Sequence, residues 1–176
     1  MKSISILITV VLSIININAQ TIPINYIAGI GQRCVVNADG MPVQSGIVML
    51  GVFSGIPNYR LNGFSQLNRT SIRSIFGQPG RFAASFQCNP IDSKLFLVII
   101  SGDQIGIFSA ADWYMPENDS ILTGMQLTTD QLHESYYGSI GADYVSLAPR
   151  FGNPIAIPQV KAKVVIIRKP GLRIWN

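Results

Sequence analysis

Short apolar runs of four to eight residues, each closed by a turn signal, set the limits on what this chain can fold into. The clearest is Lys94 to Ser101 (Lys-Leu-Phe-Leu-Val-Ile-Ile-Ser). It is too short for a typical helix and rich in β-branched residues, so it reads as a strand. Its lack of alternation places it in the centre of a sheet, buried on both faces. Gly102-Asp103 turns the chain, and Ile105 to Phe108 continues it as the next strand. Upstream, Arg33 to Val36 and Gly46 to Phe53 read as strands joined through Asn37-Ala38-Asp39-Gly40-Met41-Pro42. The Asp-Gly dipeptide there predicts an antiparallel hairpin. Gly77-Gln78-Pro79-Gly80 reads as a turn, and Arg81 to Phe86 as a half-buried strand. Gln159 to Arg168 alternates apolar residues with Lys161 and Lys163, again as a strand. Helical signals are few: a short helix around Leu67 to Ile75, and a second over Thr128 to Glu134 capped by Thr128 or Thr129.

No strand–helix–strand rhythm recurs. The expected fold is therefore all-β, an antiparallel β-sandwich or small barrel with at most one or two short helices. Charged residues make up 12% of the chain, about half the usual quarter, while apolar residues are frequent; this composition suits a turn-rich globular domain and excludes disorder.

Met1-Lys2-Ser3 carries one positive charge, Ile4 to Ile15 is almost wholly aliphatic, and Asn16-Ile17-Asn18-Ala19 is polar and ends small. This is the layout of a secretory signal peptide cleaved near Ala19. A spanning helix needs roughly 20 apolar residues, and this run is shorter. The expectation is a signal over residues 1–19 and a single secreted domain over 20–176, extracellular or periplasmic, with no transmembrane segment in the mature chain. At roughly 155 residues that domain can bury a sizeable core. In an oxidising compartment Cys34 and Cys88 have one possible pairing; the alternative is two buried, unpaired thiols. Two distant cysteines and one histidine do not supply a zinc site.

From Leu95 to Pro149 there is no Lys or Arg, while Asp103, Asp112, Glu117, Asp119, Asp130, Glu134 and Asp143 all lie there. Basic residues flank this stretch on both sides. A two-signed surface of this kind supports ordinary ion pairing, self-association or attachment to a charged extracellular polymer. Nucleic acid does not fit: no basic run is interleaved with aromatics.

The most site-like loop is Asp112-Trp113-Tyr114-Met115-Pro116-Glu117-Asn118-Asp119. Asp112, Glu117 and Asp119 offer oxygen ligands of the kind calcium takes, although the spacing is not that of an EF-hand. Trp113 and Tyr114 offer rings that stack on a sugar. The competing reading is a solvated acidic turn with Trp113 anchored in the core. Asp112 and Glu117 are also the carboxylate pair a glycoside hydrolase would need. His133, the only histidine, has no nucleophile elbow to serve and reads as a surface residue. Asn68-Arg69-Thr70 and Asn118-Asp119-Ser120 match the N-glycosylation pattern.

Gly106-Ile107-Phe108-Ser109 followed by Trp113-Tyr114-Met115-Pro116-Glu117-Asn118-Asp119 resembles a segment of uncharacterised secreted bacterial β-rich proteins. Their shared pattern is Gly-(Ile/Val)-Phe-(Ser/Thr) … Trp-x-x-Pro-x-Asn-Asp. The resemblance implies a secreted β-rich protein and assigns no activity or site. The expected function is a secreted, non-catalytic β domain with a structural, surface-attachment or self-association role and no catalytic residues. A calcium- or carbohydrate-binding module using Asp112, Trp113, Glu117 and Asp119 is the alternative, and a small hydrolase the second alternative.

Overall fold

The computed structural model describes residues 21–115 and 124–150. The signal expected over residues 1–19, Glu117, Asp119, the Asn118 sequon and the strand expected over 159–168 lie outside them.

Among the described residues fourteen strands follow one another: β1 (Ile22–Ala28), β2 (Cys34–Val36), β3 (Gly46–Phe53), β4 (Phe64–Ile75), β5 (Gln78–Cys88), β6 (Ser93–Lys94), β7 (Phe96–Ser101), β8 (Gln104–Ser109), β9 (Tyr114–Met115), β10 (Met125–Thr128), β11 (Glu134–Tyr137), β12 (Ser139–Ile140), β13 (Tyr144–Ser146) and β14 (Ala148–Pro149). Nine of them build one large, mostly antiparallel sheet in the order β10-β1-β5-β4-β3-β7-β8-β11, with β14 also on β8. The sheet curls into a half-barrel, as the all-β expectation requires. A small sheet, β12-β13-β2, and the pair β6-β9 complete the described part.

Alternation along the strands divides the apolar residues between two clusters. The inner cluster takes Ile24 and Tyr26 of β1, Val48 and Leu50 of β3, Phe82 of β5, Leu97 and Ile99 of β7, and Phe108 of β8. The outer cluster takes Met49, Phe96, Val98, Ile100, Ile105 and Ile107 from the opposite faces of β3, β7 and β8. β7 is therefore buried on both faces, between β3 and β8, as its unbroken apolar run predicts.

Several local expectations are corrected. Leu67 to Ile75 is not helical: it is part of β4, hydrogen-bonded to β3 on one side and β5 on the other. Its alternate residues Ser65, Arg69, Ser71 and Arg73 are exposed while Ile72 is buried, and pairing on both sides overrides the weak helical propensity. The β4–β5 turn lies earlier than Gly77–Gly80. Ile75 pairs with Gln78, so Phe76 (φ 49°) and Gly77 (φ 77°) form a two-residue turn of the I′ kind, and Gln78 already belongs to β5.

The hairpin expected between Arg33–Val36 and Gly46–Phe53 does not form. The Asp39-Gly40 turn closes only the Val36–Pro42 bridge. Val43 N–H then donates to Val35 O, and Gly80 N–H donates to Val43 O, which carries the chain across to the large sheet. β2 pairs instead with β13, in parallel. Thr128 to Glu134 holds a single 3-10 turn, Thr129–Gln131, between β10 and β11. Gln131 Oε1 accepts the Thr128 N–H at 2.7 Å, so the capping chemistry is present without a full helix.

Of the two alternatives for the cysteines, the structure has free thiols. Cys34 and Arg81 line one cleft, and Cys88 is seven residues further along β5. At about 3.3 Å per residue Cys88 stands roughly 23 Å along the strand from Arg81, several times the Cα separation a disulfide spans. Burial pushes the Cys88 thiol pKa up.

Candidate functional site

β6 pairs with β9 so that Lys94 stands opposite Tyr114, and residues directly opposite share a face. Phe96, two residues on from Lys94, belongs to the outer cluster. Glu134 begins β11 opposite Ser109 of β8. The β11 register shifts between Ser135 and Tyr137, a bulge that re-aims the side chains after it. Tyr136 and Tyr137 are successive, yet both reach the outer cluster: Tyr136 meets Phe96 edge-on at 5.4 Å between centroids, and Tyr137 meets Tyr59 at 5.6 Å.

Lys94, Glu134 and Tyr136 form a polar knot at the rim of this face. Lys94 Nζ donates to both Glu134 oxygens, at 2.7 and 2.5 Å, and the Tyr136 hydroxyl donates to Glu134 Oε2 at 2.8 Å. This is the one ion pair among the described residues. The Lys94 hydrogen bond holds the Glu134 carboxyl below its usual range against the opposing pull of desolvation, with the Tyr136 hydroxyl adding to it. Desolvation works to lower Lys94, but the bonds and charges of Glu134 and Tyr136 outweigh it and its pKa is raised. Desolvation and the bond to Glu134 raise Tyr136. At neutral pH the knot therefore holds a fixed ammonium, a fixed carboxylate and an intact phenol.

An aromatic row runs inward from the knot. Phe96 meets Phe53 at 5.2 Å, and Phe53 meets Phe64 at 4.9 Å, so Tyr136, Phe96, Phe53 and Phe64 connect β11, β7, β3 and β4. Gly51 makes room for the row: a Cβ there would lie 2.6 Å from Phe64 Cζ. Tyr136 keeps 41% of its surface exposed and Tyr114 49%. Exposed rings beside fixed donors and acceptors suit a polyhydroxylated ligand, whose C–H faces stack and whose hydroxyls hydrogen-bond.

The residues singled out from the sequence fare differently. Trp113 is 1% exposed; its Nε1–H donates to Gln131 Oε1 at 3.3 Å, and it belongs to the inner cluster. It is an anchor for its loop, as the reading of an acidic turn with Trp113 in the core expects, and its candidacy as a stacking surface is corrected. Asp112 is exposed. Glu117 and Asp119 lie outside the described residues, so of the three carboxylates expected to bind calcium only Asp112 has a described position. His133 is exposed, as expected; Ala111 N–H donates to its Nε2 at 3.0 Å, so Nδ1 carries the proton toward Gln131 O.

Sequence reasoning missed Lys94, Glu134 and Tyr136 as a group. Their only signal was the pair of tyrosines after an acid, and the partner lysine lies 40 residues away. It also missed Arg33 and Arg81, which tie loops together through backbone oxygens. Arg33 donates through Nε to Ala142 O and through Nη1 to the carbonyls of Asp130 and Leu132. Arg81 Nη1 donates to Gly29 O and Gln32 O.

No protein-family model, curated protein or solved structure matches the chain.

Proposed function

We propose that this chain is a secreted, non-catalytic attachment domain that binds carbohydrate through the Tyr136 face. The observation that carries this reading is the half-exposed Tyr136 ring, locked by Phe96 on one side and by the Glu134–Lys94 pair on the other. A side chain already fixed in place loses little entropy on binding, so a modest stacking energy becomes affinity. Tyr114, opposite Lys94, extends the same face. The leader-like N-terminus and the low charge content support an extracellular role.

The test is retention of the full chain on a panel of immobilised neutral and acidic glycans, followed by calorimetry on those that bind. Replacing Tyr136 by Ala should weaken binding about tenfold, the equivalent of one stacking contact. Failure to bind any glycan, or equal binding by Tyr136→Ala, overturns the reading.

A further inference from the structure

The β4–β5 hairpin runs past the end of β3. Gly46 opens β3 opposite Ile72, and from Arg73 onward β4 is paired only with β5. The hairpin tip carries Phe76, 89% exposed and at φ 49°. A bulky aromatic fits neither condition: such a turn favours Asn or Gly there, and a solvated ring adds nothing to the core. A strained, exposed ring is a local rule broken without a gain in stability, which is the mark of a functional position. Two more apolar tips stand at the same end. The Gly80 N–H donates to Val43 O, which sets the 37–41 turn and its exposed Met41 beside the hairpin. Arg81 Nη1 donates to Gly29 O and Gln32 O, which sets the 29–32 turn and its exposed Ile30 there too. Each of the three adjoins a positive-φ glycine, Gly77, Gly40 or Gly31, where an added Cβ would meet nothing within 4 Å. The tips are therefore convex, and each stands in open space.

We propose that this end of the sheet docks on a lipid surface, with Phe76, Met41 and Ile30 inserted at the boundary between headgroups and acyl chains. A protein partner would need three separate pits to receive these tips. A bilayer boundary yields to each one independently and gains from the apolar area it buries. The exposed charges around the tips are of both signs: Arg73 on β4, Asp39 beside Gly40, and Asp103 in the β7–β8 turn next to the start of β3. They complement a zwitterionic headgroup, whose phosphate faces Arg73 and whose cationic group faces the aspartates. The contact therefore rests on apolar insertion more than on net charge. Ile56, also strongly exposed, lies in the β3–β4 loop beyond the Phe53–Phe64 pair, at the opposite end of the sheet, and takes no part.

The experiment floats the full chain with phosphatidylcholine vesicles and measures its partition. Phe76→Asn, which relieves the strain and keeps the fold, should lower partition about tenfold, and Met41→Gln and Ile30→Asn about threefold each. Ile56→Asn removes a comparable apolar group from the other end and should change nothing. The ratio of parent to Phe76→Asn should hold at low and high salt, because apolar insertion is not screened. Phe76→Trp supplies a local readout that residues 1–19 do not move: its fluorescence in excess of the parent's should shift to the blue on vesicles and be quenched by brominated acyl chains. Equal partition of the parent and Phe76→Asn, a loss in Ile56→Asn as large as in Phe76→Asn, or no vesicle-dependent shift in Phe76→Trp overturns the proposal. Self-association of the parent that Phe76→Asn abolishes, without vesicle binding, also overturns it and assigns the tips to a second copy of the chain. None of these readouts involves the Tyr136 face.

Discussion

Replacing Gly106 by Ala tests whether the inner core is packed around a missing side chain. Gly106 sits in β8 opposite Ile99, and Phe108, two residues on, lies on the same inner face. A Cβ at Gly106 would stand 2.4 and 2.7 Å from two Phe108 ring carbons and 2.9 Å from Leu147 Cδ2. Phe108 is 0% exposed and Leu147 2%, so neither has free space to move into. The ring is also hemmed in by the chain at Gly138, where a Cβ would come within 3.1 Å of Phe108 Cζ. Overpacking of this sort costs about 2–3 kcal/mol. Phe108→Ala alone, which opens a cavity, costs about 3–5 kcal/mol. In the double variant the new methyl enters the space the ring has left. The combined loss should then fall short of the summed single losses by about 1–3 kcal/mol. Urea unfolding followed by the fluorescence of buried Trp113 measures all three. Each kcal/mol should lower the melting temperature by about 4 °C for a domain of this size. Strict additivity, or a Gly106→Ala chain as stable as the parent, would refute the idea that the ring needs the glycine.

Acid should weaken the rim of the Tyr136 face before it unfolds the core. Glu134 has a folded pKa held below its unfolded value, so its contribution is fully present above the unfolded value near 4.5 and is lost as pH falls through the lower folded one. The pair is about 30% exposed, which limits it to about 1 kcal/mol, and Glu134→Gln should remove that pH-dependent increment from a stability profile taken between neutrality and acid. Phe76→Asn should raise stability by about 0.5–1 kcal/mol in urea unfolding, since Phe76 holds φ 49° with 89% exposure and Asn tolerates that region better; a loss of stability would mean the exposed ring makes contacts worth more than the strain.

Strand identity was legible wherever burial on two faces left an unbroken apolar run, as in β7, or where alternation was strict, as in β5. β1 carries an equally plain signal, with Ile22, Ile24, Tyr26 and Ala28 buried in alternation, yet no strand was assigned ahead of Arg33. Pairing was less legible. β2 finds β13 across more than a hundred residues, and β1 finds β10 in parallel, and neither partner is marked by anything local. Turn chemistry misled twice, for two reasons: Gly40 does turn the chain, in open space, but closes only the Val36–Pro42 bridge, whereas Gly80 lies beyond the turn. Asp39-Gly40 and Gly77-Gln78-Pro79-Gly80 do contain positive-φ glycines, but Gly80 serves a different need: its missing Cβ would lie 2.4 Å from Val35 O. A glycine that lets two backbones approach looks, in sequence, like one that turns a chain. The site was harder still, because Trp113 attracts attention as a large ring in an acidic loop, yet its size is what commits it to the core.

The outer face of the sheet gives a physical reason for placing attachment at Tyr136. On β3, β7 and β8 that face is apolar, with Met49, Val98, Ile105 and Ile107 all 0% exposed. On β1, β5 and β10 the corresponding surface carries Asn25, Ile27, Ala83, Ser85 and Gln126, a shallow and largely small-residue surface. Tyr136 stands at the edge strand bordering the apolar half, its ring against Phe96 and its hydroxyl on the charged knot. A ring lying free on that shallow half would have to be ordered by its ligand, and each immobilised side chain costs about 0.5–1.5 kcal/mol. At the boundary that ordering is completed by folding, and the adjoining low-dielectric core strengthens the Glu134 bonds that fix the hydroxyl. Tyr144, similarly exposed at 43%, lies over Gly141, where a Cβ would come within 2.5 Å of its ring; it has no charged group on its hydroxyl among the described residues. Truncating Tyr144 should therefore leave glycan retention unchanged where truncating Tyr136 abolishes most of it, and equal losses from the two would show that exposed aromatic area alone, rather than a held ring, governs attachment.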